Sequence, residues 1–118
     1  MMLSRDMAPK PLDRCHGGEG TIFCKERLAD YARTHGIRFV HEDRIPPGTS
    51  IGLHAHTKDE ELYIILSGSG EMSVDDVRRP VGPGDICLTR EGHRHALYNT
   101  GKEDMHLYVI GCAGKTAP

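Results

Sequence analysis

The chain has 118 residues and a formal net charge of -2, with 37% hydrophobic and 27% charged residues, which fits one globular domain and excludes a disordered chain. That charge gives no electrostatic case for binding nucleic acid or an anionic membrane. Residues 1–11 lack the apolar run of a signal peptide and no apolar stretch approaches twenty residues, so the expected setting is the cytoplasm, with Cys15, Cys24, Cys87 and Cys112 as reduced thiols.

Residues 1–20 read as irregular, ending in the Gly-rich run Cys15-His16-Gly17-Gly18-Glu19-Gly20. Residues 21–24 read as a short strand. Residues 25–35 carry the one helical pattern, with Leu28, Tyr31, Ala32 and His35 on one face and Gly36 as a stop. From Ile37 onward strand follows strand. Residues 37–45 partly alternate, Pro46-Pro47-Gly48 is a turn, and residues 50–56 set Ile51, Leu53 and Ala55 against small or polar neighbours. Residues 60–67 form the strongest strand pattern, centred on Tyr63-Ile64-Ile65 and broken by Gly68. Asp75-Asp76 reads as a hairpin turn between residues 71–74 and 77–81. Three more strands, 86–90, 94–99 and 105–110, complete the count, separated by Gly-containing turns. Many short strands with no alternating helices predict an all-β sandwich or barrel rather than a doubly wound sheet.

His54 and His56 are two apart on a predicted strand, so both imidazoles project from the same face, roughly 7 Å apart at Cα. Glu61 opens the next strand after a short loop and can face the same space. His95, on a later strand, supplies a third imidazole if the sheet closes. Three neutral imidazoles and a carboxylate suit one divalent transition metal, Fe, Mn, Ni, Co or Zn, with positions left open for water or substrate. The bland reading of an isolated His-x-His pair is chance, since the chain holds eight histidines.

The frame around these residues resembles the cupin superfamily. Its first motif is met by Gly48, five residues, His54-Ala55-His56, four residues, Glu61, six residues and Gly68. The second is met by Gly84, five residues, Arg90-Glu91-Gly92, two residues, His95, three residues and Asn99, with Arg90 where the family usually has Pro. The resemblance spans residues 37–110. It implies a double-stranded β-helix, the jelly-roll or cupin barrel, over residues 37–112, preceded by an arm of residues 1–36 with a strand and a short helix. It also implies a metal held by His54, His56, Glu61 and His95, with Glu61 preferred over Glu60 because only Glu61 stands six residues before Gly68. Arg90 is expected to alter the loop before His95 and to bring a guanidinium near the site mouth.

Tyr63, on the inward face beside Glu61, and His93, two before His95, are the candidate general acid/base groups. A core tyrosine and an exposed loop histidine are the alternatives. His41 and His106 lie on strands, where a lone histidine is more often structural, and Asn99 reads as a turn-fixing residue. Cys15-His16 with Cys24 lacks a Cys-x-x-Cys pair and is not read as a zinc site, and Cys87 reads as a small buried hydrophobe. The apolar row Leu62, Ile64 and Leu66 faces outward and needs cover, which the N-terminal segment or a second subunit can supply; a homodimer is expected.

Three functions fit: a metalloenzyme acting on a small carboxylate, carbonyl or sugar-like molecule by dioxygenase, isomerase or lyase chemistry; a non-catalytic binding or sensing module; and a barrel with a structural metal. The resemblance disfavours an oxalate-type decarboxylase, since such enzymes usually carry two such domains.

Overall fold

The computed structural model describes residues 1–28, 32 and 34–115. Among these the chain forms ten strands and one 3-10 turn: β1 (Lys10–Asp13), the turn η1 (Cys15–Gly17), β2 (Thr21–Glu26), β3 (Ile37–Ile45), β4 (Ser50–Ala55), β5 (Asp59–Ser67), β6 (Gly70–Val74), β7 (Val77–Val81), β8 (Ile86–Thr89), β9 (Arg94–Tyr98) and β10 (Met105–Ala113). Six of them make one sheet in the order β1-β2-β3-β10-β5-β8, and four make a second in the order β4-β9-β6-β7. Every pairing is antiparallel.

The inner faces of the two sheets hold the core. Glu61, Tyr63 and Ile65 are buried on β5 while Leu62 and Ile64 between them are half-buried and Leu66 is exposed, the period of two that a one-sided strand requires. Ile45, Ile65, Leu97, Met105 and Leu107 are fully or almost fully buried between the layers. The β6–β7 hairpin closes through Asp75 (φ 49°) and Asp76 (φ 67°), the pair of left-handed residues that a two-residue hairpin turn needs. Asn99 fixes the turn after β9: its Nδ2 donates to the carbonyls of Ile45 and Glu103 at 2.7 Å each, and its Oδ1 accepts from the Gly101 N–H at 2.9 Å.

Three expectations change. Among the described residues the helix over 25–35 is not seen: Lys25 and Glu26 belong to β2, where they stand opposite Glu42 and His41, and the Arg27 N–H donates to the Val40 carbonyl at 2.7 Å. Those backbone groups are committed to a ladder and cannot form the first helical turn. Ala29, Asp30, Tyr31 and Arg33 lie outside the described residues. Second, residues 1–20 are not wholly irregular. β1 pairs along β2 as the edge of the large sheet, and all four of its side chains are exposed, so it has no apolar alternation to read. Third, Ile51 does not share the outward face of Leu53 and Ala55. It is buried in the core, because the β4–β9 register shifts between Ile51 and His54 and reverses which residues face in.

Candidate metal centre

β4 and β9 are neighbours in the small sheet, and their register sets His54 directly opposite His95. His56 follows the end of β4 but stays beside β9: its N–H donates to the His93 carbonyl at 3.0 Å, and its carbonyl accepts from the Gly92 N–H at 2.7 Å. Glu61 comes from the facing sheet, on β5 opposite Thr89 of β8. One donor atom from each of His54, His56, Glu61 and His95 lies within 4.8 Å of every other. His95 Nε2 is 2.9 Å from His56 Nε2 and 3.0 Å from His54 Nε2, and Glu61 Oε1 is 3.1 Å from the Nε2 atoms of both His56 and His95. Glu60, one register away, is not in the cluster.

The opposite ring nitrogens are tied down. His54 donates its Nδ1–H to the Gly52 carbonyl at 2.7 Å, and His56 donates its Nδ1–H to the Asp59 carboxylate at 3.2 Å. Both acceptors lack a proton to give, so each Nδ1 carries a proton, and Nε2 is the nitrogen left for an ion once the ring is neutral. His95 Nδ1 lies 2.7 Å from the hydroxyl of Thr89, which is fully buried. Such partners behind each imidazole hold the tautomer a metal needs.

The donor set fits a divalent ion on two counts. Glu61 Oε1 is buried between the His56 and His95 Nε2 atoms, 3.1 Å from each, with no other polar partner. Adjacent ligands at about 2.1 Å from one ion stand about 3 Å apart, the spacing found here. Burial alone would raise the Glu61 carboxyl, but the imidazoles of His56 and His95 outweigh it and hold it at about 2. Burial also lowers the His54 imidazole to about 4, so at neutral pH it is uncharged.

Tyr63 packs its ring 4.8 Å from that of His95 and lines the cavity. Burial raises its phenol well above the ordinary range, with the Glu61 and Asp43 carboxylates adding to the effect, so it keeps its proton. His93 is not brought to the others. Its side chain is half-exposed, its Nδ1 bonds the Asp75 carboxylate at the β6–β7 turn, and it does not line the cavity. Arg90 is likewise exposed after β8 and outside the cavity lining, a correction to its expected place at the mouth.

The sequence reading missed His16. It stacks on His54 with ring centroids 3.7 Å apart and planes 11° apart, and it lines the cavity. Its signal was the Gly-rich run, which lets η1 press against β4. The sequence reading also gave no role to Asp59, Thr89 or Asp43. The cavity has a volume of about 760 Å³ and bears the cations Arg38 and Lys58 in its lining.

Two facing antiparallel sheets with this cluster between them define a cupin barrel. Residues 41–111 match the Cupin domain family, and the chain belongs to it. It is 31% identical to an oxalate-binding protein of Thermotoga maritima, over 91% of this chain and 88% of that one. A crystal structure from Thermotoga maritima, described as a predicted oxalate decarboxylase, superposes with a TM-score of 0.91 at 29% identity, covering 96% of this chain and 99% of that one. A dimethylsulfoniopropionate lyase of Ruegeria pomeroyi is 32% identical over 88% of this chain, which spans only 47% of that longer protein.

Proposed function

We propose that this protein holds one divalent transition metal through His54, His56, Glu61 and His95 and uses it to bind and transform a small carboxylate-bearing molecule. The observation that carries this is the convergence of three imidazole nitrogens and one buried carboxylate oxygen on a common point. A metal held there would supply a Lewis acid for a carboxylate or carbonyl oxygen. The chain supplies the rest. Arg38 and Lys58 offer cations beside the lining carboxylates Glu26, Asp43, Asp59 and Glu61, so the metal's open positions carry the case for an anion. Tyr63, protonated and against His95, is the group able to donate a hydrogen bond to a bound oxygen. The likeness to an oxalate-binding protein over most of both chains supports a small carboxylic acid as the ligand.

That same likeness favours a second reading, binding without turnover. Calorimetric titration of the metal-loaded protein with oxalate and other small carboxylic acids, followed by product analysis, separates the two. Metal-dependent binding with consumption of the acid, both lost in Glu61→Gln, is the expected result. Binding without consumption supports the second reading, and binding that is equally strong without metal overturns both.

The reading includes a homodimer. Leu62 stands opposite Leu88 and Ile64 opposite Ile86 on the outer face of the large sheet. Ile86 is 63% exposed, and Leu66 and Leu88 are each 45% exposed, an apolar patch that water solvates poorly. Sedimentation is expected to give twice the chain mass, falling to the chain mass in Ile86→Glu; a monomer in both refutes the dimer.

A further inference from the structure

A second group of ligand-type side chains faces the same cavity from another wall. Cys24 and Glu26 are two apart on β2, and His41 and Asp43 two apart on β3, so each pair shares a face. The register sets Cys24 opposite Asp43 and Glu26 opposite His41. Donor atoms of Cys24, His41 and Asp43 lie within 4.8 Å of one another. Glu26, His41 and Asp43 line the cavity, and Cys24 is buried beside them. None of the four contributes to the centre already described.

Two observations point to a ligand. Asp43 is only 5% exposed, and although its carboxylate accepts a hydrogen bond from the Cys24 thiol, its Oδ1 is buried with no partner. A carboxyl oxygen removed from water without compensation is costly, and such exceptions need an explanation. His41 is held from two sides, by Glu26 Oε2 at 2.6 Å from its Nε2 and by the Phe39 ring stacked at 4.5 Å. A carboxylate behind an imidazole is the arrangement that orients metal-ligating histidines.

We propose that Cys24, His41 and Asp43 form a second metal site, for a zinc-class divalent ion, separate from the His54, His56, Glu61 and His95 centre. A thiolate, an imidazole and a carboxylate make a borderline-soft set that suits Zn²⁺ or Co²⁺ and not Mg²⁺ or Ca²⁺. Coordination takes the thiol proton from Cys24 and passes it to solvent. Three protein donors leave one tetrahedral position, open to water or to a ligand in the cavity. β10 separates β3 from β5, so the walls carrying the two sites are two strand spacings, about 10 Å, apart. The two sites share no residue, and this inference does not depend on the function proposed above.

Titration of the metal-free, full-length protein with Co²⁺ tests it, because only a site containing sulfur gives thiolate-to-cobalt charge-transfer absorption in the near ultraviolet. The expected result is two equivalents per chain together with that absorption. Cys24→Ser and Asp43→Asn each lose one equivalent, and Cys24→Ser also loses the absorption. His54→Ala loses the other equivalent and keeps the absorption. Should Cys24→Ser fail to fold, His41→Gln, at a half-exposed position, is expected to bind one equivalent. One equivalent in the parent protein without sulfur absorption, lost in His54→Ala and kept in Cys24→Ser, overturns the second site and leaves the first. Absorption with a single equivalent that survives His54→Ala overturns the first and leaves the second. Absorption that persists in Cys24→Ser belongs to another thiol and overturns the assignment.

Discussion

His95→Ala is expected to abolish metal binding at the three-histidine centre and to lower the melting temperature of the metal-loaded protein by well over ten degrees. His95 is 0% exposed and touches the Tyr63 ring, the Thr89 hydroxyl and both other imidazoles. Two separable losses combine. The metal contribution, at one hundred times its dissociation constant, is about 2.7 kcal/mol, or roughly 10 °C for a domain of this size. The cavity left by a buried side chain of this bulk adds about 2–5 kcal/mol, and the Thr89 hydroxyl loses its partner. Melting Cys24→Ser, which keeps only this centre, with and without a chelator measures the first loss; melting metal-free His95→Ala against the metal-free parent measures the second. A His95→Ala variant that still takes up metal at this centre, or a Cys24→Ser protein indifferent to the chelator, refutes the assignment.

Acid should weaken the same centre, and the sign follows from each ligand. Glu61, at about 2, and His54, at about 4, are already in their metal-binding forms at neutral pH. His56 differs. Burial pushes its imidazole down, but the Glu61 and Asp59 carboxylates push it up by more, so it holds a proton to higher pH than an ordinary histidine. A metal must displace that proton, so affinity falls about tenfold for each pH unit below the folded His56 value. In the metal-free protein the depressed His54 acts on stability instead. The unfolded chain binds the proton more readily between about 4 and 6.5, so the His54 contribution is complete above that window and is lost as pH falls through it.

The second large effect is expected at Gly52. A Cβ built there meets the His16 carbonyl oxygen at 2.2 Å and the Gly18 nitrogen at 2.6 Å, and one built at Gly18 meets the Ser50 carbonyl oxygen at 2.3 Å. These are backbone atoms and cannot swing aside as a side chain end would. Gly52→Ala must therefore lift η1 off β4, which separates His16 from His54 and frees the Gly52 carbonyl that orients His54. Overpacking of this kind costs about 1–3 kcal/mol, and loosening an orienting contact lowers metal affinity about 10–100-fold. Thermal melts and metal titration of Gly52→Ala check both, with His16→Ala as the control that removes the stack but keeps the turn. If Gly52→Ala melts and binds metal as the parent does, η1 is not seated as described.

The patterns legible in the sequence were local ones. Alternation around Tyr63 predicted which face of β5 is buried, the Asp75-Asp76 pair predicted the hairpin, and the spacing of Gly48, His54, His56, Glu61 and Gly68 singled out four side chains that the fold does gather. Each depends on strand periodicity and turn chemistry, which act over a few residues. Contacts between distant segments were not legible. The register shift that turns Ile51 inward arises from pairing with β9, and β1 has no buried face to leave a pattern. The helix expected over residues 25–35 yielded at its start to pairing with β3, a long-range competitor that local periodicity does not register. His16 over His54, and Cys24 beside Asp43, join residues 38 and 19 positions apart in the chain. Only the pairing of β2 with β3 and the seating of η1 on β4 bring them together, because a side chain's neighbours are set by strand order and register, and those are properties of the whole chain.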